Sequence, residues 1–313
     1  KNKVYNGNNT AEIDTYNLVG VLSGDSITIA FVATFDNENA GTGKTVTVTN
    51  VVITGADAAN YTFPPANYPT CTANITTKAV TFSYSDVATD LTKTYDGTDT
   101  FTIAAAKVTV GGKVGTDDVT FTGTARFDNK NYGTGKTITF SALALTGTKA
   151  ANYHIDYNNS TLSRSGASIT KKAVTVGTIV FDSIVYNGVS TEAGTDNGKV
   201  FTVKSCSTAD GAICDGDYIS FAIASGITLY ANIKTVGTHT VDIADGDLVA
   251  QGVGAGNYEW SFDTTGYVVI TARPLTITVA AQNKEYDGLT TATQDTVTFG
   301  NAVAGEEANL TLS

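Results

Sequence analysis

Thr94-Tyr95-Asp96-Gly97 is the stretch on which the fold turns, because it returns as Val4-Tyr5-Asn6-Gly7, Val185-Tyr186-Asn187-Gly188 and Glu285-Tyr286-Asp287-Gly288. The four tyrosines stand 90, 91 and 100 residues apart. Asn-Gly and Asp-Gly pairs tolerate positive φ and make tight turns suited to a β-hairpin. The tyrosine before them can bury its ring and hydrogen-bond through its hydroxyl. The tripeptide therefore reads as a structural turn, and a ligand site built on the tyrosine is the alternative.

Other landmarks keep this phase. Phe35-Asp-Asn-Glu-Asn-Ala-Gly-Thr-Gly-Lys44 matches Phe127-Asp-Asn-Lys-Asn-Tyr-Gly-Thr-Gly-Lys136, with a looser third copy from Tyr230 to Gly237. Ala59-Asn60-Tyr61 matches Ala151-Asn152-Tyr153 and Gly256-Asn257-Tyr258, and the joint Ile75–Thr81 returns as Ile169–Thr175 and Ile270–Thr276. Landmarks in one order in successive copies define a tandem repeat. Between them, runs such as Ser26–Val32, Lys44–Thr49, Asp118–Thr122 and Lys136–Phe140 alternate apolar and polar residues, as strands with one buried face do. Short alternating runs separated by turns predict an all-β chain of tandem Ig-like β-sandwich modules of about 90 residues in an elongated array. The expected bounds are 1–77 (lacking its first strand), 78–171, 172–272 with an insert carrying Cys206 and Cys214, and 273–313 as a partial fourth module. At about 35 Å per module the array reaches on the order of 120 Å.

Composition agrees with many short strands and turns. The 313 residues are 42% hydrophobic and 16% charged, enough to build cores, with 31 glycines against 4 prolines. A net charge of −11 without a basic patch argues against nucleic acid. No run approaches the ~18 apolar residues of a membrane helix, and Lys1–Tyr5 lacks the apolar core of a signal peptide. The chain has no methionine, which suggests processing or excision from a longer protein.

Candidate chemistry is sparse. Cys206 and Cys214 share one short polar loop and read as a local disulfide, with two free thiols as the alternative; Cys71 has no obvious partner. The oxygen-rich Phe-Asp-Asn-x-Asn runs and the acidic clusters Asp210–Asp217 and Asp242–Asp247 offer weak Ca²⁺ ligation, but their residues are also those of ordinary turns. No cofactor is expected beyond that Ca²⁺ option. Gly-Thr-Gly-Lys lacks the spacing of a phosphate loop. Only His154 and His239 are available as imidazoles, neither in a catalytic context, so an enzyme is not expected. Trp260, the only tryptophan, is either a packing residue or a ligand contact. Asn8, Asn74, Asn158, Asn159 and Asn309 head formal glycosylation triplets.

Through its Tyr-Asp/Asn-Gly, Ala-x-Asn-Tyr and joint segments, the whole chain resembles the YDG repeats and related bacterial Ig-like modules of large secreted adhesins of the filamentous-haemagglutinin type. The resemblance implies an extracellular, cell-surface or secreted stalk or adhesive fibre. Two of the four copies carry Asn6 and Asn187 where the family has Asp, which keeps the turn but weakens a functional carboxylate. The expected partners are neighbouring modules or subunits of the same repeat protein, and host or neighbour-cell glycans or proteins. The function expected is a structural stalk or fibre segment. One alternative is a glycan- or protein-binding module at 172–272; the other is a filament subunit assembled by strand donation. The repeat phase at both ends suggests a window on a longer protein; Arg273 to Ala281 could instead supply the strand missing before Asn2.

Overall fold

The computed structural model describes residues 1–64, 68–188, 203–209, 212–227, 229, 235–262, 265–306 and 310. Asp210, positions 230–234 of the third landmark copy and Asn309 lie outside these residues. The protein is all-β: among the described residues the only helical pieces are short 3₁₀ turns, including Ala58–Asn60, Ala150–Asn152 and Ala255–Asn257. Among the described residues, no helix is long and apolar enough to cross a membrane. The chain divides into two compact units, residues 1–93 with 99–169, and residues 94–98 with 170–313.

The first unit opens with β1 (Lys3–Val4), β2 (Thr28–Phe35), β3 (Gly41–Thr54) and β4 (Thr70–Thr76), in one sheet ordered β1-β4-β3-β2. The next repeat contributes β5 (Lys78–Tyr84), β6 (Thr92–Thr94), β7 (Thr100–Phe101), β8 (Val108–Gly111), β9 (Thr120–Phe127), β10 (Gly133–Thr146), β11 (Tyr153–Ile155) and β12 (Ser163–Thr170). These form a five-stranded sheet, β6-β12-β10-β9-β7, and a three-stranded sheet, β11-β5-β8. Strict alternation on β5 turns Val80, Phe82 and Tyr84 inward. Phe82 meets Phe121 and Phe140 at ring separations of 5.3 and 5.1 Å, and Tyr84 meets Phe101 and Phe140. The core therefore lies between the two sheets.

The second unit contains β13 (Lys172–Phe181), β14 (Ile184–Val185), β15 (Val203–Thr208), β16 (Tyr218–Ile223), β17 (Gly237–Asp242), β18 (Leu248–Val253), β19 (Tyr258–Phe262), β20 (Thr265–Thr271), β21 (Thr276–Ala281) and β22 (Gln294–Gly300). A six-stranded sheet follows the path β14-β20-β13-β15, with β17 added to β20 and β19 to β13; β16 pairs β18, and β21 pairs β22. Val176, Ile179, Phe181, Val241, Val268 and Ile270 belong to its core.

Two expectations are corrected here. The Tyr-Asp-Gly segment does not close a hairpin: β6 and β7, on either side of Tyr95–Gly97, lie at opposite edges of one sheet. The turn is instead closed locally, the Asp96 carboxylate accepting the Thr98 N–H at 2.9 Å while Gly97 takes φ +81°. Nor are Cys206 and Cys214 bridged; both are free thiols, as is Cys71. Cys206 sits on β15 opposite Ile179 and packs on the core, where burial pushes its thiol up to about 11. Cys214 is held elsewhere, its N–H donating to the Tyr258 hydroxyl.

Candidate functional site

The tyrosines of the repeated turns converge on one recurring piece of architecture. Each turn begins one or two residues after a short strand has paired with the last strand of its own repeat, as β1 does with β4 and β14 with β20. The tyrosine N–H then donates to that strand's last carbonyl region: Tyr5 to Thr76, Tyr95 to Thr170 and Tyr186 to Thr271, at 2.8–2.9 Å. Anchored this way, the side chain projects to an acidic residue more than a hundred positions onward.

Tyr5 donates its hydroxyl to Asp117 at 2.8 Å, and Tyr153 donates to the same carboxylate oxygen at 2.5 Å. Tyr95 and Tyr258 converge likewise on one oxygen of Asp217, at 2.8 and 2.6 Å. The ring pairs are nearly superimposable: Tyr5–Tyr153 at 5.4 Å and 76°, Tyr95–Tyr258 at 5.5 Å and 81°. Tyr186 donates to Glu306 at 2.6 Å in a third instance. The second tyrosine of each socket comes from the Asn-Tyr landmark and has a double role. Its hydroxyl also accepts a backbone N–H from the acidic turn, Val114 to Tyr153 at 3.0 Å and Cys214 to Tyr258 at 2.8 Å.

The turn glycine completes the fit. A Cβ built at Gly7, Gly97 or Gly188 would stand 2.9, 2.9 and 2.4 Å from the side chains of Val114, Cys214 and Val303. Each of these three residues opens the turn that ends in the acid, with the acid's N–H closing on its carbonyl at 3.0–3.1 Å. The glycines are therefore required twice, for φ near +80° and for close approach. The Asx residue caps the turn from inside, as Asp287 does by accepting the Leu289 N–H at 3.0 Å. A lysine two positions before the tyrosine ties the turn down: Lys3 donates to the Asn8 carbonyl, Lys93 to that of Thr100 and Lys284 to that of Leu289.

Tyr5 and Tyr95 are each 1% exposed. Burial, with the neighbouring carboxylate second, pushes the hydroxyls of Tyr5, Tyr95 and Tyr153 up to about 12, and Tyr258 is raised further. Since the folded state holds these protons above their ordinary value near 10, the stability they confer is complete below pH ~10. It is lost as pH rises through about 12. Denaturation midpoints measured from pH 9 to 12 are expected to fall with tyrosinate absorbance, and Tyr95→Phe with Tyr258→Phe to flatten that slope.

The acidic partners Asp117, Asp217 and Glu306 were not recognised as tyrosine acceptors in the sequence. The signal was present: Val114-Gly-Thr-Asp117, Cys214-Asp-Gly-Asp217 and Val303-Ala-Gly-Glu306 recur in phase, and Leu22-Ser-Gly-Asp25 is a fourth copy. Asp217, considered for Ca²⁺, is a tyrosine acceptor. In the Phe-Asp-Asn runs the cation is the chain's own lysine. Lys44 lies 2.7 Å from both Asp36 and Asn37 oxygens, and Lys136 lies 2.6 Å from Asn129 Oδ1 and 3.6 Å from Asp128. Lys44 also holds the Asp36 carboxyl below its ordinary range. Asp247 caps a turn through the Ala244 N–H. Among the described residues, no group of three or more His, Cys, Asp or Glu side chains is placed to hold a metal.

Trp260 donates its ring N–H to the Ala255 carbonyl at 3.3 Å and packs on Phe221 and Tyr258 at 5.0 and 5.1 Å. Its ring closes a core edge instead of standing clear for a ligand. His154 contacts the Thr77 hydroxyl and His239 the Thr235 carbonyl. Tyr286-Asp287-Gly288 forms the same capped turn as Tyr95-Asp96-Gly97, but Tyr286 is 98% exposed.

No curated protein and no solved structure matches the chain. Among protein families, the YDG domain matches residues 1–69 and 76–161, the first two repeats, each with its Tyr-Asx-Gly turn and Asn-Tyr landmark. Over residues 1–161, then, this chain carries YDG domain sequence.

Proposed function

We propose that the chain is a stalk or fibre segment of an extracellular bacterial adhesin-like repeat protein, built from tandem Ig-like sandwich repeats that set distance and present surface. The observation that carries this reading is the tyrosine socket. Three successive Tyr-Asx-Gly turns are seated on an acid of the following repeat. A shared carboxylate under two buried hydroxyls fixes direction as well as distance, because hydrogen bonds to a charged acceptor are short and angle-dependent. Devices of this kind stiffen joints and leave the rest of each repeat's surface open. In this reading the partners are neighbouring repeats of the same protein, with a surface glycan or protein engaged elsewhere along the array.

Small-angle scattering tests the proposal. A compact 313-residue globule has a radius of gyration of about 20 Å. A stalk is expected to give a value well above that and a long-tailed distance distribution. A radius near the compact figure overturns the reading.

A further inference from the structure

The paired tyrosines are placed for chemistry with each other. Tyr5 and Tyr153 both donate to Asp117 Oδ2, at 2.8 and 2.5 Å, so their phenolic oxygens are no farther apart than those two bonds laid end to end. Their rings meet edge-on, with centroids 5.4 Å apart and planes at 76°, the separation of an edge-to-face contact. Both rings are buried, whereas Asp117 is only half-buried and its carboxyl keeps a route to water.

A phenol gives up an electron readily when its proton leaves at the same moment, because the protonated radical is a very strong acid. The electron can reach an oxidant without contact, but the proton needs a base within hydrogen-bond reach. Burial alone does not supply one. Tyr84 is 5% exposed, yet its hydroxyl accepts the Ala104 N–H at 3.3 Å and its ring neighbours are Phe101 and Phe140, so a radical formed there faces phenylalanines. At Asp117 one carboxylate serves two phenols that already touch.

We propose that the Asp117 socket is an oxidative cross-linking site, at which one-electron oxidants join Tyr5 to Tyr153 as dityrosine. Tyr153 loses an electron to the oxidant as its hydroxyl proton passes to Asp117 Oδ2. Asp117 hands that proton to water and is a base again for Tyr5, which is oxidised in the same way by a second equivalent. The two phenoxyl radicals pair their electrons in a bond between ring carbons ortho to the oxygens, and each of those carbons then gives its hydrogen back as the hydroxyl proton of its own ring. In sum, two electrons go to two oxidant equivalents, two protons go to water and one carbon–carbon bond forms. Both hydroxyls return to Asp117, so the socket survives. The bond staples the Tyr-Asx-Gly turn of the first repeat to the Asn-Tyr landmark of the second and closes a loop of more than a hundred residues, which restricts the unfolded chain. It requires the socket alone and holds whether or not the array is a stalk.

The Asp217 socket holds the same ring pair, Tyr95 and Tyr258 at 5.5 Å and 81°, with one chemical difference. Cys214 takes the place of Val114, and its thiol stands against the Tyr258 hydroxyl. A thiol gives a hydrogen atom to a phenoxyl radical, which restores the phenol and leaves a thiyl radical. Cys214 therefore quenches at this socket the coupling that Val114 permits at the other.

Illumination of the dilute intact chain with tris-bipyridyl ruthenium and persulfate tests the proposal. The chain is expected to lose the mass of two hydrogens, to gain dityrosine fluorescence, and to yield on digestion a peptide carrying Tyr5 joined to one carrying Tyr153. Tyr5→Phe is expected to remove that link. Asp117→Asn, which keeps an acceptor of the same shape but is a far weaker base, is expected to slow it about a hundredfold, the lower end of what a positioned base contributes. Should Asp117→Asn fail to fold, the wild-type rate in deuterium oxide decides, and it is expected to drop because the proton moves with the electron. Cys214→Val is expected to add the Tyr95–Tyr258 link. Links confined to exposed tyrosines such as Tyr157 and Tyr218, 52 and 76% exposed, overturn the site. A folded Asp117→Asn chain that links at the wild-type rate, or a wild-type rate unchanged in deuterium oxide, overturns the carboxylate's part in it. Tyr95–Tyr258 links as abundant as Tyr5–Tyr153 links in the wild-type chain overturn the quenching by Cys214.

Discussion

Asp217→Ala is expected to destabilise the second unit by about 4 kcal/mol, since hydrogen bonds to a charged group contribute about 1.5–3 kcal/mol each and their loss strands buried donors. One oxygen of Asp217 accepts from both Tyr95 and Tyr258, so the substitution orphans two hydroxyls. It also removes the wall against which Tyr258 is held to receive the Cys214 N–H. Asp217→Asn keeps an acceptor of the same shape and is expected to cost about half as much. Tyr95→Phe and Tyr258→Phe should each cost about 1–2 kcal/mol, with a double mutant that departs from additivity because the two share one acceptor. Urea unfolding followed by fluorescence of Trp260, which packs on Tyr258 at 5.1 Å, reads the effect directly. Asp25→Ala is the control: among the described residues Asp25 has one tyrosine partner, Tyr61, less buried than Tyr258, and its loss is expected to cost under about 1 kcal/mol. Equal effects at Asp25 and Asp217 would show that the shared acceptor has no special role.

These sockets mark where the sequence stopped being legible. The period, the all-β class and the turn character of Tyr-Asx-Gly follow from local chemistry, because glycine's positive φ and the Asx cap act within a few residues. The acceptor is not local. Asp117, Asp217 and Glu306 lie 112, 122 and 120 residues beyond their tyrosines. Asp217 stands in an Asp-Gly-Asp run that looks like any polar turn. The hairpin expectation failed for a related reason: turn residues define a reversal but not which strands flank it, and here the flanking strands go to opposite sheet edges. In the Phe-Asp-Asn runs the oxygens read as turn residues with weak Ca²⁺ ligation as an option, and what the local pattern does not show is that Lys44 and Lys136, at the end of the same motif, fold back onto them. Cys206 and Cys214 are close in sequence, yet β15 carries one onto the core while the other opens the Asp217 turn. Proximity along the chain was misleading in each of these cases because tertiary partners decided the geometry.

Phe82→Ala is expected to cost the first unit about 4 kcal/mol, the usual range for a buried phenylalanine truncated in a packed core being about 3–5. Phe82 is almost fully buried, on the central strand of its sheet, with Phe121 edge-on at 82° and Phe140 tilted at 60°. Both rings are anchored on β9 and β10, whose long pairing resists collapse into the space left behind. The cost should therefore lie toward a cavity-dominated value, with the midpoint falling and the denaturant slope nearly unchanged. The substitution would also open in the second repeat a groove like the one the first repeat already has at Ile29, Val48 and Phe63. If that resemblance is physical, Phe82→Ala should gain binding of a hydrophobic dye. Phe82→Leu, which refills most of the volume, should recover more than half of the lost stability and remove the added dye site. A loss below about 1 kcal/mol for Phe82→Ala would mean that β5 is not the keystone of its sheet.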